Sequence, residues 1–135
     1  MPIKLHHYGF LTADTAAWLS ENELMFGKPF KLYDSIAIAS QKVTITFVQQ
    51  TENAVMTELV QPAADNLPLQ KMIAKGITVY HTGYMIPAME FDSTLKDFEE
   101  KGARALPVFN SEAFNQRRCV FVFSTSLGMI ELIEE

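Results

Sequence analysis

The chain has a single cysteine in 135 residues, Cys119, so no internal disulfide can staple it. That thiol sits in the apolar run Cys119-Val120-Phe121-Val122-Phe123, where structural filler is the expected role rather than a reactive nucleophile. Basic runs are missing too: Arg117-Arg118 is the longest, and the net charge is −5. A polyanionic backbone finds nothing to grip here, so nucleic acid is not an expected partner. No apolar stretch approaches the ~20 residues that span a bilayer, and no signal-peptide core follows Met1. The expectation is a cytoplasmic protein with no membrane partner. Charged residues reach only 20% against 48% apolar, which excludes a disordered chain. One compact domain over 1–135 is expected, burying roughly 70% of its unfolded surface.

What the chain does have, it has twice. His6-His7-Tyr8-Gly9-Phe10 returns as Tyr80-His81-Thr82-Gly83-Tyr84, and Met56-Thr57-Glu58-Leu59-Val60 returns as Met129-Ile130-Glu131-Leu132-Ile133. Glu58 follows His7 by 51 residues and Glu131 follows His81 by 50. A His and a Glu repeated in register point to one duplicated unit and a single site built from both copies.

The flanking sequence supports that reading. A strand over 3–11 carries His7, and a helix over 14–26 starts at Asp14, has the apolar set Ala17, Trp18, Leu24 and Met25, and stops at Gly27. Strands follow at 30–39, 42–49 and 55–61. Residues 62–77 form a linker with a short helix at 67–75 that ends at Gly76. The second copy then runs strand 78–86 with His81, helix 92–101 with Leu95 and Phe98, and strands 104–109, 118–124 and 128–134. The order is βαβββ twice: module 1 over 1–61 and module 2 over 78–135. Residues 110–117 are expected to be a loop that edges a pocket.

Strand parity sharpens the chemistry, because residues two apart share a face. His7 shares its face with Leu5, Gly9 and Leu11, and His81 with Val79, Gly83 and Met85. Glu58 lies between Met56 and Val60, and Glu131 between Met129 and Ile133. All four polar groups therefore leave apolar faces. A lone His on such a face is ordinarily a hydrogen-bonded core residue, and a lone Glu near a strand end ordinarily lies at the sheet rim. Four of them in duplicated register outweigh that reading. Burying bare carboxylates costs several kcal/mol each, and a divalent cation with two neutral imidazoles removes both the burial and the repulsion problem. His7, Glu58, His81 and Glu131 are the candidate metal ligands. His6, on the opposite strand face, is expected to meet solvent or to support the ligands from behind. Arg117, Arg118 and Lys42 are either anchors for a substrate carboxylate or phosphate or ordinary solvated surface. Tyr84 is a candidate substrate contact, although aromatic residues in such strands are more often core.

These motifs resemble the vicinal oxygen chelate superfamily, which includes glyoxalase I, methylmalonyl-CoA epimerase, extradiol dioxygenases and bleomycin-resistance proteins. The similar segments are His7-Tyr8-Gly9-Phe10, Tyr80-His81-Thr82-Gly83, Glu58-Leu59 and Ile130-Glu131-Leu132, and the likeness runs from His6 to Glu134. Glu58-Leu59-Val60-Gln61-Pro62, followed by Pro68 and a short helix, is closer to the epimerase branch. Gln41-Lys42-Val43 and Phe114-Asn115-Gln116-Arg117-Arg118 are similar to small glyoxalase-like members.

The resemblance implies an α+β glyoxalase-like fold of two tandem βαβββ modules whose curled mixed sheets enclose a cleft. It also implies a divalent metal (Ni, Co, Zn, Mn or Fe) and a homodimer. The implied activity is a metal-dependent isomerase, epimerase or lyase working through an enolate or enediolate of a small carbonyl or thioester substrate. Glu131 is the first choice for the base and Glu58 the second. The alternatives are a small-molecule binding or resistance protein and a non-haem iron dioxygenase, in which Glu58 would block a position that oxygen needs. Two departures stand out. Epimerase-like members usually carry an acid on the third strand of module 1, where this chain reads Lys42-Val43-Thr44-Ile45-Thr46-Phe47-Val48, and the usual glycine-rich run before the second His is absent.

Overall fold

The computed structural model describes residues 3–23, 31–51 and 54–135. The fold is α+β and dominated by strands. In chain order the elements are β1 (Lys4–Leu11), α1 (Thr15–Glu21), β2 (Lys31–Leu32), β3 (Ile36–Ile38), β4 (Val43–Gln49), β5 (Met56–Pro62), α2 (Leu67–Ala74), β6 (Val79–Ile86), α3 (Phe91–Glu100), β7 (Arg104–Ala105), β8 (Phe109–Ser111), β9 (Arg117–Ser124) and β10 (Gly128–Glu134). The second half repeats the order of the first, strand then helix then strands. Two compact units divide the chain, residues 8–80 and residues 81–135 with 1–7, so β1 contributes to both. Among the described residues no helix is long and apolar enough to cross a membrane.

In the 8–80 unit, β4 pairs antiparallel with β5 on one side and with β2 and β3 on the other. Asp14 caps α1 by accepting from the Ala17 N–H at 3.1 Å, which satisfies a donor the helix start leaves open. The described part of this helix ends at Glu21. Leu24, Met25 and Gly27 of the expected helix, and Phe30 at the start of the next expected strand, lie outside the described residues. Asn66 serves two elements at once. Its Oδ1 accepts from Leu69 N at 3.3 Å to cap α2, and its Nδ2 donates to the carbonyls of Gln41 and Lys42, each at 3.1 Å. Those carbonyls belong to a tight turn in which Lys42 takes a left-handed backbone, φ 53°.

The expected strand 30–39 is two short strands. Leu32 faces Val48 and Ile36 faces Ile45, so three residues on one strand oppose two on the other. The extra residue is a β-bulge, and Tyr33 N still reaches Phe47 O at 3.0 Å. The expected strand 104–109 breaks in the same way. Ala105 faces Val122 and Phe109 faces Cys119, again three against two, with Leu106 N donating to Phe121 O at 2.8 Å. Pro107 lies in this second bulge, where its missing N–H costs the ladder nothing.

In the other unit, β10 lies parallel to β6 and antiparallel to β9. Helix α3 covers one face of this sheet. The core there is Ile86, Phe91, Val120, Val122, Ile130 and Leu132, with Tyr84, Leu95 and Phe98 packed against it. Alternation along β6, β9 and β10 sends these residues to the helix and leaves His81, Phe121 and Glu131 on the opposite face. Gly102 closes α3 with φ +95°, a conformation that favours glycine.

Candidate metal centre

Three of the four expected ligands meet within the unit formed by 1–7 and 81–135. His81 lies on β6, Glu131 on the neighbouring β10, and His7 on β1. In the ladder Glu131 has Gly83 opposite it on β6 and Phe121 opposite it on β9. His7 is 0% exposed, His81 2% and Glu131 4%. His7 Nε2 and His81 Nε2 are 2.9 Å apart, and Glu131 Oε1 lies 3.2 Å from the first and 3.7 Å from the second.

Glycine makes this approach possible. A Cβ on Gly83 would run into the His7 ring at Cε1, Nδ1 and Nε2. The glycine two positions after each histidine is therefore more than punctuation: at Gly83 it vacates the volume that the other histidine fills. Phe114 stacks on His7 with ring centroids 6.4 Å apart and planes inclined by 19°, and Phe121 presents an edge to His81 at 5.2 Å. Phe109 in turn stacks on Phe121 at 5.9 Å. The polar cluster thus borders an aromatic wall.

The donor set fits a cation. Among the described residues, Glu131 Oε1 is buried and accepts no hydrogen bond. Both imidazoles bring Nε2 toward it, and two lone-pair nitrogens beside an unpartnered carboxylate oxygen form an arrangement that only protons or a metal can stabilise. Metal–ligand bonds of about 2.0–2.2 Å place neighbouring ligand atoms about 3.0–3.5 Å apart, near the 2.9–3.7 Å found here. His7, His81 and Glu131 can hold a divalent ion in the two-His, one-carboxylate arrangement that leaves positions open for a substrate.

Glu58 is also buried, 4% exposed, on β5 of the 8–80 unit, where it pairs with Phe47 of β4. Val43, Ile45 and Phe47 face the same way as Glu58 along β4. No acid accompanies them, in agreement with the departure seen in the sequence.

Other expected contacts are placed elsewhere. Arg118 lies on the helix side of β9, opposite in parity to Cys119 and Phe121, so its side chain is placed away from His81. Its guanidinium donates to Glu134 at 2.7 and 3.0 Å and to Asp92 at 2.8 Å, and it covers the Phe91 ring at 4.6 Å. These partners raise the Arg118 pKa further and hold the Glu134 carboxyl below its usual range. Tyr84 packs against the α3 core. Lys42 pairs with Asp65 at 3.2 Å on the surface. Arg117 is exposed at the start of β9, opposite Ser111. The expected loop 110–117 is mostly structured: it continues β8 to Ser111, forms a 3-10 turn at Glu112–Phe114 and enters β9 at Arg117. Sequence reasoning missed Phe114 as a partner of His7. A lone aromatic in a polar segment was its only signal.

Known proteins share this fold. The model of the Glyoxalase/Bleomycin resistance protein/Dioxygenase superfamily matches residues 5–121. A hypothetical protein from Bacillus halodurans C-125 superposes with TM-score 0.79 at 20% identity, covering 100% of this chain and 96% of its own. Methylmalonyl-CoA epimerase from Mycobacterium tuberculosis gives 0.78 at 16% identity, with 97% and 87% covered. A Streptomyces coelicolor methylmalonyl-CoA epimerase variant, solved in complex with 2-nitronate-propionyl-CoA, gives 0.76 at 18% identity, with 98% and 94% covered. At these identities the likeness is one of fold. Among curated proteins no sequence matches the chain.

Proposed function

The chain belongs to the Glyoxalase/Bleomycin resistance protein/Dioxygenase superfamily, and from that premise we propose a divalent-metal-dependent isomerase, epimerase or lyase that moves a proton beside a carbonyl. The observation that carries this reading is the convergence of His7 Nε2, His81 Nε2 and Glu131 Oε1 in a buried spot. Glu58 is the proposed fourth ligand, on the strength of the sequence repeat and its own burial. We read 1–61 and 78–135 as the two modules of one domain, acting as a cytoplasmic homodimer.

A divalent cation in this site (Ni, Co, Zn, Mn or Fe) supplies Lewis acidity that lowers the cost of removing a proton next to a carbonyl or thioester. The side chains do the rest. His7 and His81 serve as neutral nitrogen ligands, each with its Nε2 directed inward. Glu131 is the first choice for the group that takes the proton and returns it, and Glu58 the second. Phe114 and Phe121 pack on the imidazoles beside the buried Glu131 carboxylate, where low exposure to solvent strengthens charge interactions. Arg117 is the proposed anchor for a substrate carboxylate or phosphate. Inversion needs a second group on the opposite face of the carbon, and β4 offers no acid, so Glu58 must fill that role in an epimerase.

The epimerases among the structural neighbours make acyl-CoA thioesters the first substrates to try, with thiohemiacetals second. A binding or resistance protein is the second reading, favoured by the apolar Ile45 and Phe47 where an epimerase-like acid was sought. The iron dioxygenase reading has only the ligand triad in its favour.

The test is elemental mass spectrometry on tag-free protein beside His81→Ala and Glu131→Ala variants. Near-stoichiometric metal that disappears in both variants supports the proposal, and proton exchange on acyl-CoA and thiohemiacetal substrates in deuterated water would then be measured. A protein that stays empty after metal is supplied overturns it and leaves the binding reading in front.

A further inference from the structure

His6 makes a contact that the pleat of a strand does not predict. Adjacent strand residues point to opposite faces, yet His6 Nδ1 lies 2.9 Å from His7 Nδ1. The two rings meet edge to face at 5.2 Å, and the Phe114 ring braces both, edge-on to His6 at 5.3 Å and stacked on His7. His7 therefore has both ring nitrogens engaged: Nε2 faces His81 and Glu131, and Nδ1 faces His6.

We infer that His6 is a positioning residue that fixes the tautomer of His7, leaving its Nε2 lone pair for the metal; this rests on the metal reading of the site given above. A neutral imidazole carries one proton. With Nε2 of His7 directed at a cation, that proton sits on Nδ1, so His7 donates and His6 Nδ1 accepts. His6 then carries its own proton on Nε2. An accepting partner behind a ligating imidazole holds the ring in orientation and raises its basicity, and removing such a partner costs about 10–100-fold in metal affinity. Here the acceptor comes from the next residue in the chain, with Phe114 restraining both rings. His6 touches neither substrate nor metal. It acts through His7.

The test uses Zn(II) as the probe, with affinity measured by competition against a fluorescent chelator on tag-free full-length protein. His6→Leu keeps bulk but cannot accept, and His6→Asn places Oδ1 near the former position of Nδ1. The expected result is a loss of about 10–100-fold for His6→Leu and retention within about threefold for His6→Asn. A second measurement needs no variant. Nitrogen-15 correlation spectra of zinc-loaded wild-type protein should show His7 protonated on Nδ1, and His6 unprotonated on Nδ1 and protonated on Nε2. Wild-type zinc affinity in His6→Leu, an equal loss in His6→Asn, or a proton on His6 Nδ1 overturns the inference while leaving the metal site intact. If wild-type protein takes no zinc, the metal reading fails and this inference fails with it.

Discussion

The space beside Gly83 is occupied by the ring of His7: a side chain on the glycine and the imidazole in its place are mutually exclusive. The glycine after the second histidine is thereby part of the site of the first. Gly83→Ala is expected to push His7 out of line with His81 and Glu131. Metal affinity should fall by at least about tenfold, in the range seen when ligand-orienting residues are lost. Chelator competition measures this. An unchanged affinity would show that His7 can relax without leaving the ligand set.

Ligand binding to the folded state alone stabilises it by mass action. Metal at a hundredfold excess over its dissociation constant should add about 2.7 kcal/mol and raise the melting temperature by several degrees. The shift should vanish in His81→Ala. A shift of equal size in that variant would place the bound metal elsewhere.

Arg118 joins β9 to β10 through Glu134 and to α3 through Asp92. The pairing lowers the pKa of Glu134 in the folded state relative to the unfolded chain. A depressed carboxylate contributes stability above its unfolded pKa, and that contribution is lost as pH falls through the folded value. Arg118→Ala should therefore be destabilised relative to wild type near neutrality, with the difference closing below the usual carboxylate value of 4.5. Denaturant melts at pH 7 and pH 3 measure it. Metal content should not change, because Arg118 faces α3 rather than the histidines.

Asn66→Ala removes the cap of α2 and both donors that hold the Gln41–Lys42 turn. A cost of about 1–2 kcal/mol is expected from the cap and the part-exposed hydrogen bonds combined. Urea denaturation checks this, and a change under about 0.5 kcal/mol would mean that water replaces the amide at both ends.

Much of this was legible in the sequence, because it depends on local periodicity. His7, His81, Glu58 and Glu131 were found by repetition, and the faces of His81 and Glu131 by counting in twos. Asp14, Gly76 and Gly102 marked helix limits through capping chemistry that acts within a few residues. What escaped depends on distant partners. Arg118 meets Glu134 and Asp92, 16 and 26 residues away, and no local pattern announces either. Tyr84 is three residues from His81 and so of opposite parity, which agrees with its packing in the α3 core. The contact between His6 and His7 defeats the alternation rule outright, so a reading by strand parity turned the two rings apart.

The bulge in the 104–109 segment has a further effect. Ala105 and Phe109 are four positions apart, an even step that would keep them on one face of an unbroken strand. The added residue among Leu106, Pro107 and Val108 reverses the count: Ala105 packs under α3, while Phe109 turns over to stack on Phe121 beside His81. One edge segment thus furnishes a wall to each side of the sheet. Leu32 and Ile36 undergo the same reversal against Val48 and Ile45. These short stretches work like a reading frame written in space. Deleting a single residue at 106–108 would remove the bulge and leave Ala105 and Phe109 three positions apart, an odd step that still sends them to opposite faces, so the aromatic wall should survive a cut that straightens the edge.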